Sequence, residues 1–235
     1  MTLVLGHRGS SARAPENTLE AFRAARDDGA DGVELDVHRS ADGVLVVHHD
    51  AASPGLGVLA ELTAAAIREA DLSIPTLAEA LDELSGLLVN VEVKNLPPDL
   101  DYDPQHRAVD SLVELLAARD DEDRVLVSSF NLDTVDRVRV LDPTIPTGFL
   151  TYGMEPGAAV GLAVEHGHGA WHPDRATLAR EPMEMVALAH GADLEVNVWT
   201  VNEPDELAGF AKAGVDAIVT DVPEVAVRAI SGRRA

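Results

Sequence analysis

The sequence predicts an α/β protein built as a closed (β/α)8 TIM barrel, and three observations carry that prediction. Short apolar runs alternate with longer amphipathic stretches along residues 1–235. No linker interrupts the alternation, so a single domain spanning 1–235 is expected. The apolar runs are built from valine, leucine, isoleucine and alanine, the composition of parallel strands covered by helices. A doubly wound open sheet is the competing arrangement of the same units.

In chain order, strands are expected at 3–5, 33–37, 88–93, 125–128, 146–150, 170–172, 194–200 and 217–220. Helices are expected at 18–26, 76–84, 108–119, 134–141, 177–190 and 205–213. Two carry N-terminal signals: Asn17 as cap with Glu20 three residues on, and Thr76 with Glu79. Gly214 ends a helix and leads into the last strand, the usual αβ turn. Asp42-Gly43 in "SADG" marks a tight turn, which makes 44–48 a short hairpin strand hung on the second barrel strand. The polar, proline-rich stretch 97–104 reads as a loop after the third strand.

Three of these strands break the pattern of a buried strand. In "VELDV" (33–37), "VNVEVK" (89–94) and "LEVNVW" (194–199), aliphatic residues alternate with polar ones. Successive side chains of a strand point to opposite faces. The aliphatic faces suit packing against helices, so Glu34, Asp36, Asn90, Glu92, Lys94, Glu195, Asn197 and Trp199 face the barrel interior. An antiparallel sheet with one wet face would alternate in the same way, but outer helices leave no wet face. Glu34, Asp36 and Glu92 are three oxygen donors on neighbouring strands, and carboxylates without His or Cys suit Mg²⁺ or Ca²⁺. Lys94 lies beside them, as an ion-pair partner of Glu92 at the least.

Composition removes several classes of function. There are 18 Lys+Arg against 41 Asp+Glu, a formal net charge of −23, which repels nucleic acid and anionic membranes. No cysteine is present, so disulfides, thiolate metal sites and a cysteine nucleophile are excluded. No apolar run approaches the ~20 residues that cross a bilayer, and no basic leader precedes the first strand. A cytoplasmic protein without membrane insertion is expected.

Among nine histidines, His7 and His49 each end an apolar run where the mouth of a barrel would be. A pair of such histidines can remove a proton from an attacking oxygen and protonate a leaving alcohol, and Arg8 can grip phosphate oxygens in a bidentate way. His172 ends the sixth strand, as a pocket residue or an internal one. His38 and His48 carry no assigned role. His106, His166, His168 and His190 lie in helical or glycine-rich stretches and are expected at the surface.

The ordered series "GHRG", "PENT", "ELDV", "SADG", "HD", "IPTLAEAL", "VEVK", "SSFN", "VWTVN" and "GVDAIVTDVP" resembles the glycerophosphodiester phosphodiesterase family along the whole chain. The resemblance implies a (β/α)8 barrel that hydrolyses glycerophosphodiesters to glycerol 3-phosphate and an alcohol, in glycerol and lipid metabolism. It implies an acid/base pair of His7 and His49, one divalent cation (Mg²⁺ or Ca²⁺) on Glu34, Asp36 and Glu92, and phosphate contacts from Arg8 and Lys94. Trp199 would line the glycerol side, and 15–18 would fix the first loop and cap the first helix. In this family the substrate's own glycerol hydroxyl is thought able to attack phosphorus. One departure is the segment after His49-Asp50, which lacks the family's usual Arg-Thr pair and is short, a reduced insertion that bears on substrate size. Two other readings are a non-catalytic phosphodiester-binding barrel and another carboxylate-metal barrel enzyme acting on sugar phosphates.

Overall fold

The computed structural model describes residues 1–119 and 124–231. The strands are β1 (Leu3–His7), β2 (Gly32–Arg39), β3 (Leu45–Val47), β4 (Ala52–Ser53), β5 (Gly57–Val58), β6 (Leu88–Val93), β7 (Val125–Ser129), β8 (Thr147–Thr151), β9 (Ala170–Pro173), β10 (Glu195–Val198) and β11 (Ala217–Thr220). The helices are α1 (Leu19–Asp27), α2 (Ala64–Ala70), α3 (Leu77–Glu83), α4 (Arg107–Arg119), α5 (Leu132–Leu141), α6 (Pro156–Glu165), α7 (Arg175–Leu178), α8 (Pro182–His190), α9 (Pro204–Ala213) and α10 (Pro223–Ser231). Strand β1 pairs in parallel with both β11 and β2, which closes a ring of eight parallel strands. Strand β3 lies outside the ring, antiparallel to β2. The expected barrel with its extra hairpin strand is therefore what forms.

Parity along each strand decides what lies inside. Val33, Leu35, Val37, Val89, Val91, Val93, Val125 and Val127 pack with the helices in one buried cluster. Trp171, Val196, Val198 and Ile218 do the same in a second. The intervening residues, Glu34, Asp36, Asn90, Glu92, Ser128, His172 and Asn197, are buried on the opposite, inner face. A third, small cluster of Val46, Leu59, Ile67 and Ile74 supports the segment after His49-Asp50, which folds as the β4–β5 hairpin and one 3₁₀ turn.

Local signals explain most helix ends. Thr76 and Glu79 form the expected capping box of α3. Gly214 closes α9 in the left-handed conformation at φ 94°. Three outcomes differ from expectation. The cap of α1 is Thr18, whose hydroxyl accepts from the Ala21 N–H, and Asn17 is thereby released for another task. The stretch 177–190 is two helices, because Pro182 has no N–H to donate and begins α8 instead of continuing α7. Helices α2, α6 and α10 and the β4–β5 hairpin lie outside the expected elements; α6, "PGAAVGLAVE", is apolar almost all round and so carries no amphipathic stripe. No helix among the described residues is long and apolar enough to cross a membrane.

The histidine expectations divide. His190 is exposed, and His106 and His166 are half-buried. His168 is buried, against expectation, because it lies just before β9 with Nδ1 3.0 Å from the Thr147 hydroxyl. Burial lowers the His168 pKa to about 4 and that of His172 to about 3. Between pH 6.5 and 4 the unfolded chain takes up protons at both positions that the folded chain refuses, so stability falls as pH falls. Each contributes a slope of about 1.4 kcal/mol per pH unit. His168→Asn is expected to flatten the dependence of the urea-unfolding free energy on pH across this range by about one proton. An unchanged slope would show that His168 titrates normally.

Candidate active site

The site lies at the C-terminal ends of β1, β2 and β6, the end of a barrel where catalytic groups gather. Register creates it. Glu34 stands beside His7 on β1, and Asp36 stands beside Glu92 on β6. One carboxylate oxygen from each of Glu34, Asp36 and Glu92 lies within 4.8 Å of the others, and all three residues are buried. The Lys94 ammonium sits 2.9 Å from Asp36 Oδ1 and 2.6 Å from Glu92 Oε1. Arg8 Nε is 3.2 Å from Asp36 Oδ2, while its Nη1 donates to Glu16 Oε1 at 2.8 Å.

Burial and neighbouring charge set the protonation of these groups. Burial, reinforced by the charge of Asp36, raises the Glu34 pKa to about 8. Burial also raises Glu92, against the pull of Lys94. Asp36 goes down despite its burial, because Lys94, Arg8 and the Asn17 amide favour its anion. Glu34 Oε2 accepts from the Arg8 backbone N–H at 3.1 Å, and Oε1 is buried with no hydrogen-bond partner among the described residues. A buried carboxylate oxygen without a partner is costly. Three hard oxygen donors that include it form a set suited to a divalent ion.

The loop between β1 and α1 places His7 and Arg8. Gly9 has φ 90°, and a Cβ there would stand 2.6 Å from the Ala21 carbonyl carbon, so only glycine lets the loop lie on α1. Asn17 donates to Asp36 Oδ2 at 2.8 Å, so the "PENT" stretch reaches into the site as well as leading to the helix. His7 Nδ1 is 2.6 Å from Asp221 Oδ1. Asp221 in turn accepts from the Asn202 amide at 2.6 Å and the Ser11 hydroxyl at 3.0 Å. These bonds and the His7 imidazole outweigh burial and hold Asp221 down at about pKa 2. For His7, burial opposes the charged form, but the Asp221 hydrogen bond and Glu34 prevail and its pKa is raised. His49 moves the other way: burial and then Lys94 lower it.

A cleft of about 220 Å³ opens between His49 and the β6 end, lined by His38, His49, Glu92, Lys94 and Phe130. A narrower gap of about 20 Å³, room for one water, lies among His7, Glu34, Glu92, His172 and Trp199. Trp199 forms an edge-on contact with Phe130, centroids 5.4 Å apart, and Tyr152 lies 6.3 Å from it while 78% exposed. The Trp199 indole N–H donates to the His172 carbonyl at 2.9 Å, which fixes the ring at the rim.

The structure thus brings His7, Arg8, Glu34, Asp36, Glu92, Lys94 and Trp199 together, with His49 across the cleft. It adds Asn17, Asp221 and Asn202, which the sequence reading gave no part in the chemistry. The one available signal was Asp221 in "TDVP", a carboxylate at the end of a barrel strand.

Known proteins share both pattern and fold. The sequence pattern described as "Glycerophosphoryl diester phosphodiesterase family" matches residues 7–225. A glycerophosphodiester phosphodiesterase of Caldanaerobacter subterraneus subsp. tengcongensis is 31% identical, covering 97% of this chain and 98% of that one. The crystal structure of a glycerophosphodiester phosphodiesterase from Thermotoga maritima superposes with a TM-score of 0.83 at 30% identity, covering 97% of this chain and 98% of that one. A phosphodiesterase from Oleispira antarctica, solved in complex with the product sn-glycerol-3-phosphate, gives a TM-score of 0.87 at 26% identity, covering 98% of this chain and 97% of that one.

Proposed function

The chain belongs to the glycerophosphoryl diester phosphodiesterase family, and on that premise we propose that it hydrolyses glycerophosphodiesters to glycerol 3-phosphate and an alcohol. Glu34, Asp36 and Glu92 would hold one divalent cation, Mg²⁺ or Ca²⁺. The observation that carries this reading is the juxtaposition of three buried carboxylates with two cations and two histidines. Three carboxylates against Arg8 and Lys94 leave one formal negative charge. A divalent ion would turn that into one positive charge, the complement of a phosphodiester monoanion. When bound, such an ion neutralises charge on the phosphoryl oxygens.

The remaining roles follow from the side chains. Arg8 and Lys94 bind the non-bridging phosphate oxygens. His49, whose pKa is lowered, accepts the proton of the attacking hydroxyl, which comes from water or from the substrate's own glycerol. Attack by the glycerol hydroxyl gives a cyclic phosphodiester, which a second attack, by water, opens to glycerol 3-phosphate. The new P–O bond forms as the bond to the alcohol breaks. His7, held charged by Asp221, donates its proton to the departing alkoxide oxygen. Trp199 lines the glycerol side.

A panel of glycerophosphodiesters incubated with Mg²⁺ or Ca²⁺ is expected to release glycerol 3-phosphate, and a chelator to stop the release. Metal-dependent binding of glycerol 3-phosphate without turnover of any diester would instead establish the binding-only barrel. Turnover of a sugar phosphomonoester in place of the diesters would establish the third reading.

A further inference from the structure

The geometry points to His38, gripped by Asp101, as the residue that positions His49 for proton transfer. His38 follows Glu34 and Asp36 at the same parity of β2, and its side chain is 1% exposed. Its Nδ1 lies 2.6 Å from Asp101 Oδ2, and its Nε2 lies 3.1 Å from the backbone carbonyl oxygen of His49. Both partners are acceptors, so both ring nitrogens donate. One imidazole therefore spans two loops that the strand order brings side by side: the segment between β3 and β4 that carries His49, and the segment between β6 and α4 that carries Asp101. Residues of both loops line the 220 Å³ cleft.

The His49 ring has little else to hold it. Its Nδ1 bonds Asp50 Oδ1 at 2.8 Å, but the Asp50 side chain is 72% exposed, and water competes for such a contact. The side chain of His49 is itself 36% exposed. Its direction is set by the backbone that bears it, and His38 is the buried side chain that bonds that backbone at its own carbonyl. Asp101 is as secluded as His38, at 5% exposure, and its segment is stiffened by reciprocal bonds between Asn95 and Asp103. A buried polar pair of this kind adds little net stability compared with apolar residues of the same shape. What it supplies is a fixed geometry, and the geometry it fixes is that of a residue facing the carboxylate site. Small displacements of a proton-transfer group cost large factors in rate.

This inference rests on the reading of His49 as a proton-transfer group, and two independent measurements separate the two. In the first, steady-state kinetics on a glycerophosphodiester are compared for wild type, His38→Gln, Asp101→Asn, His49→Ala and the double variant His38→Gln/His49→Ala. Glutamine at 38 carries one amide group and cannot reach both loops. The kcat of His38→Gln and of Asp101→Asn is expected to fall about 10- to 100-fold, as for residues that orient a reacting group, with KM nearly unchanged. Asp101→Glu, which restores the carboxylate, is expected to recover much of the loss. Adding His38→Gln to His49→Ala is expected to cost nothing more, because the first residue acts through the second. An unchanged kcat in folded His38→Gln and Asp101→Asn, or an equal further loss on the His49→Ala background, overturns the inference.

In the second, protein labelled with ¹³C-histidine is examined by NMR, with the His49 ring signal assigned from His49→Gln. In Asp101→Asn that signal is expected to move toward the position and narrow line of a mobile, exposed imidazole while the His7 signal stays. A His49 signal that does not respond overturns the positioning role whatever the activity. An inactive wild type with a responsive His49 signal overturns the proposed function alone.

Discussion

Glu34→Gln is expected to reduce hydrolysis about a thousandfold while leaving the barrel at least as stable as before. The two effects separate because Glu34 is the carboxylate whose charge the protein itself compensates least. Its Oε1 is buried without a partner among the described residues, and burial with neighbouring charge raises its pKa to about 8. In the metal-free protein this raised value makes a stability term that is present below the ordinary carboxylate pKa and lost as pH rises through about 8. Glutamine has nearly the same shape, keeps an acceptor for the Arg8 N–H, and carries no charge to desolvate. The metal-free variant should therefore lose less stability than wild type between pH 4.5 and 8, read from urea unfolding in the presence of a chelator. The loss of activity has the opposite origin. An amide oxygen is a far weaker ligand for a hard cation, and metal stabilisation of phosphoryl charge is worth several kcal/mol, or about three factors of ten in rate. Added Mg²⁺ or Ca²⁺ should raise the unfolding free energy of wild type, by about 2.7 kcal/mol at a hundred times Kd, and that of Glu34→Gln far less. A variant that kept wild-type activity and wild-type stabilisation by the ion would remove Glu34 from the metal site.

The second large effect concerns His7 and Asp221. His7→Ala is expected to lower kcat by about 10² to 10⁴, the range for general acid–base groups, with a smaller change in KM. The loss should shrink when the leaving alcohol is replaced by p-nitrophenol, whose anion departs without a proton. This distinguishes a proton donor from a residue that only shapes the pocket. Asp221→Asn tests the cause of the His7 shift. The Asp221 hydrogen bond and the Glu34 charge hold the imidazole above its ordinary pKa despite burial. A donor must be protonated, so activity falls as pH rises through its pKa. Removing the Asp221 charge lowers that pKa, and the alkaline limb of the kcat profile is expected to move to lower pH. A limb that stays in place would show that another group limits the rate there, and an equal loss with both leaving groups would deny His7 the role of donor.

The contrast between these two predictions reflects how much of the site could be read along the chain. Glu34, Asp36 and Glu92 declare themselves because a polar residue at every second position of a helix-covered strand has only the barrel interior to face. His7, His49 and Arg8 stand out as costly groups at the ends of apolar runs. Asp221 also ends an apolar strand, but nothing local names its partner. It reaches His7 across 214 positions of sequence only because β11 and β1 are neighbours in the closed ring. His38 has the parity of the carboxylates, yet its partner Asp101 lies 63 positions away in an irregular segment with no period to read. Asn17 was legible as a helix start, and the adjacent Thr18 took that task when the loop turned Asn17 toward Asp36.

By itself, then, the sequence determined the barrel, the outward valine faces, the inward carboxylates and the chemistry they suit. Each of these follows from local demands, namely the two-residue period of a strand and the cost of burying a charge. The tertiary structure alone decided which carboxylate orients His7, which imidazole holds the His49 loop, and which carboxylate oxygen is left without a partner. Those outcomes depend on strand order, register and ring closure, which bring together residues that no local pattern connects.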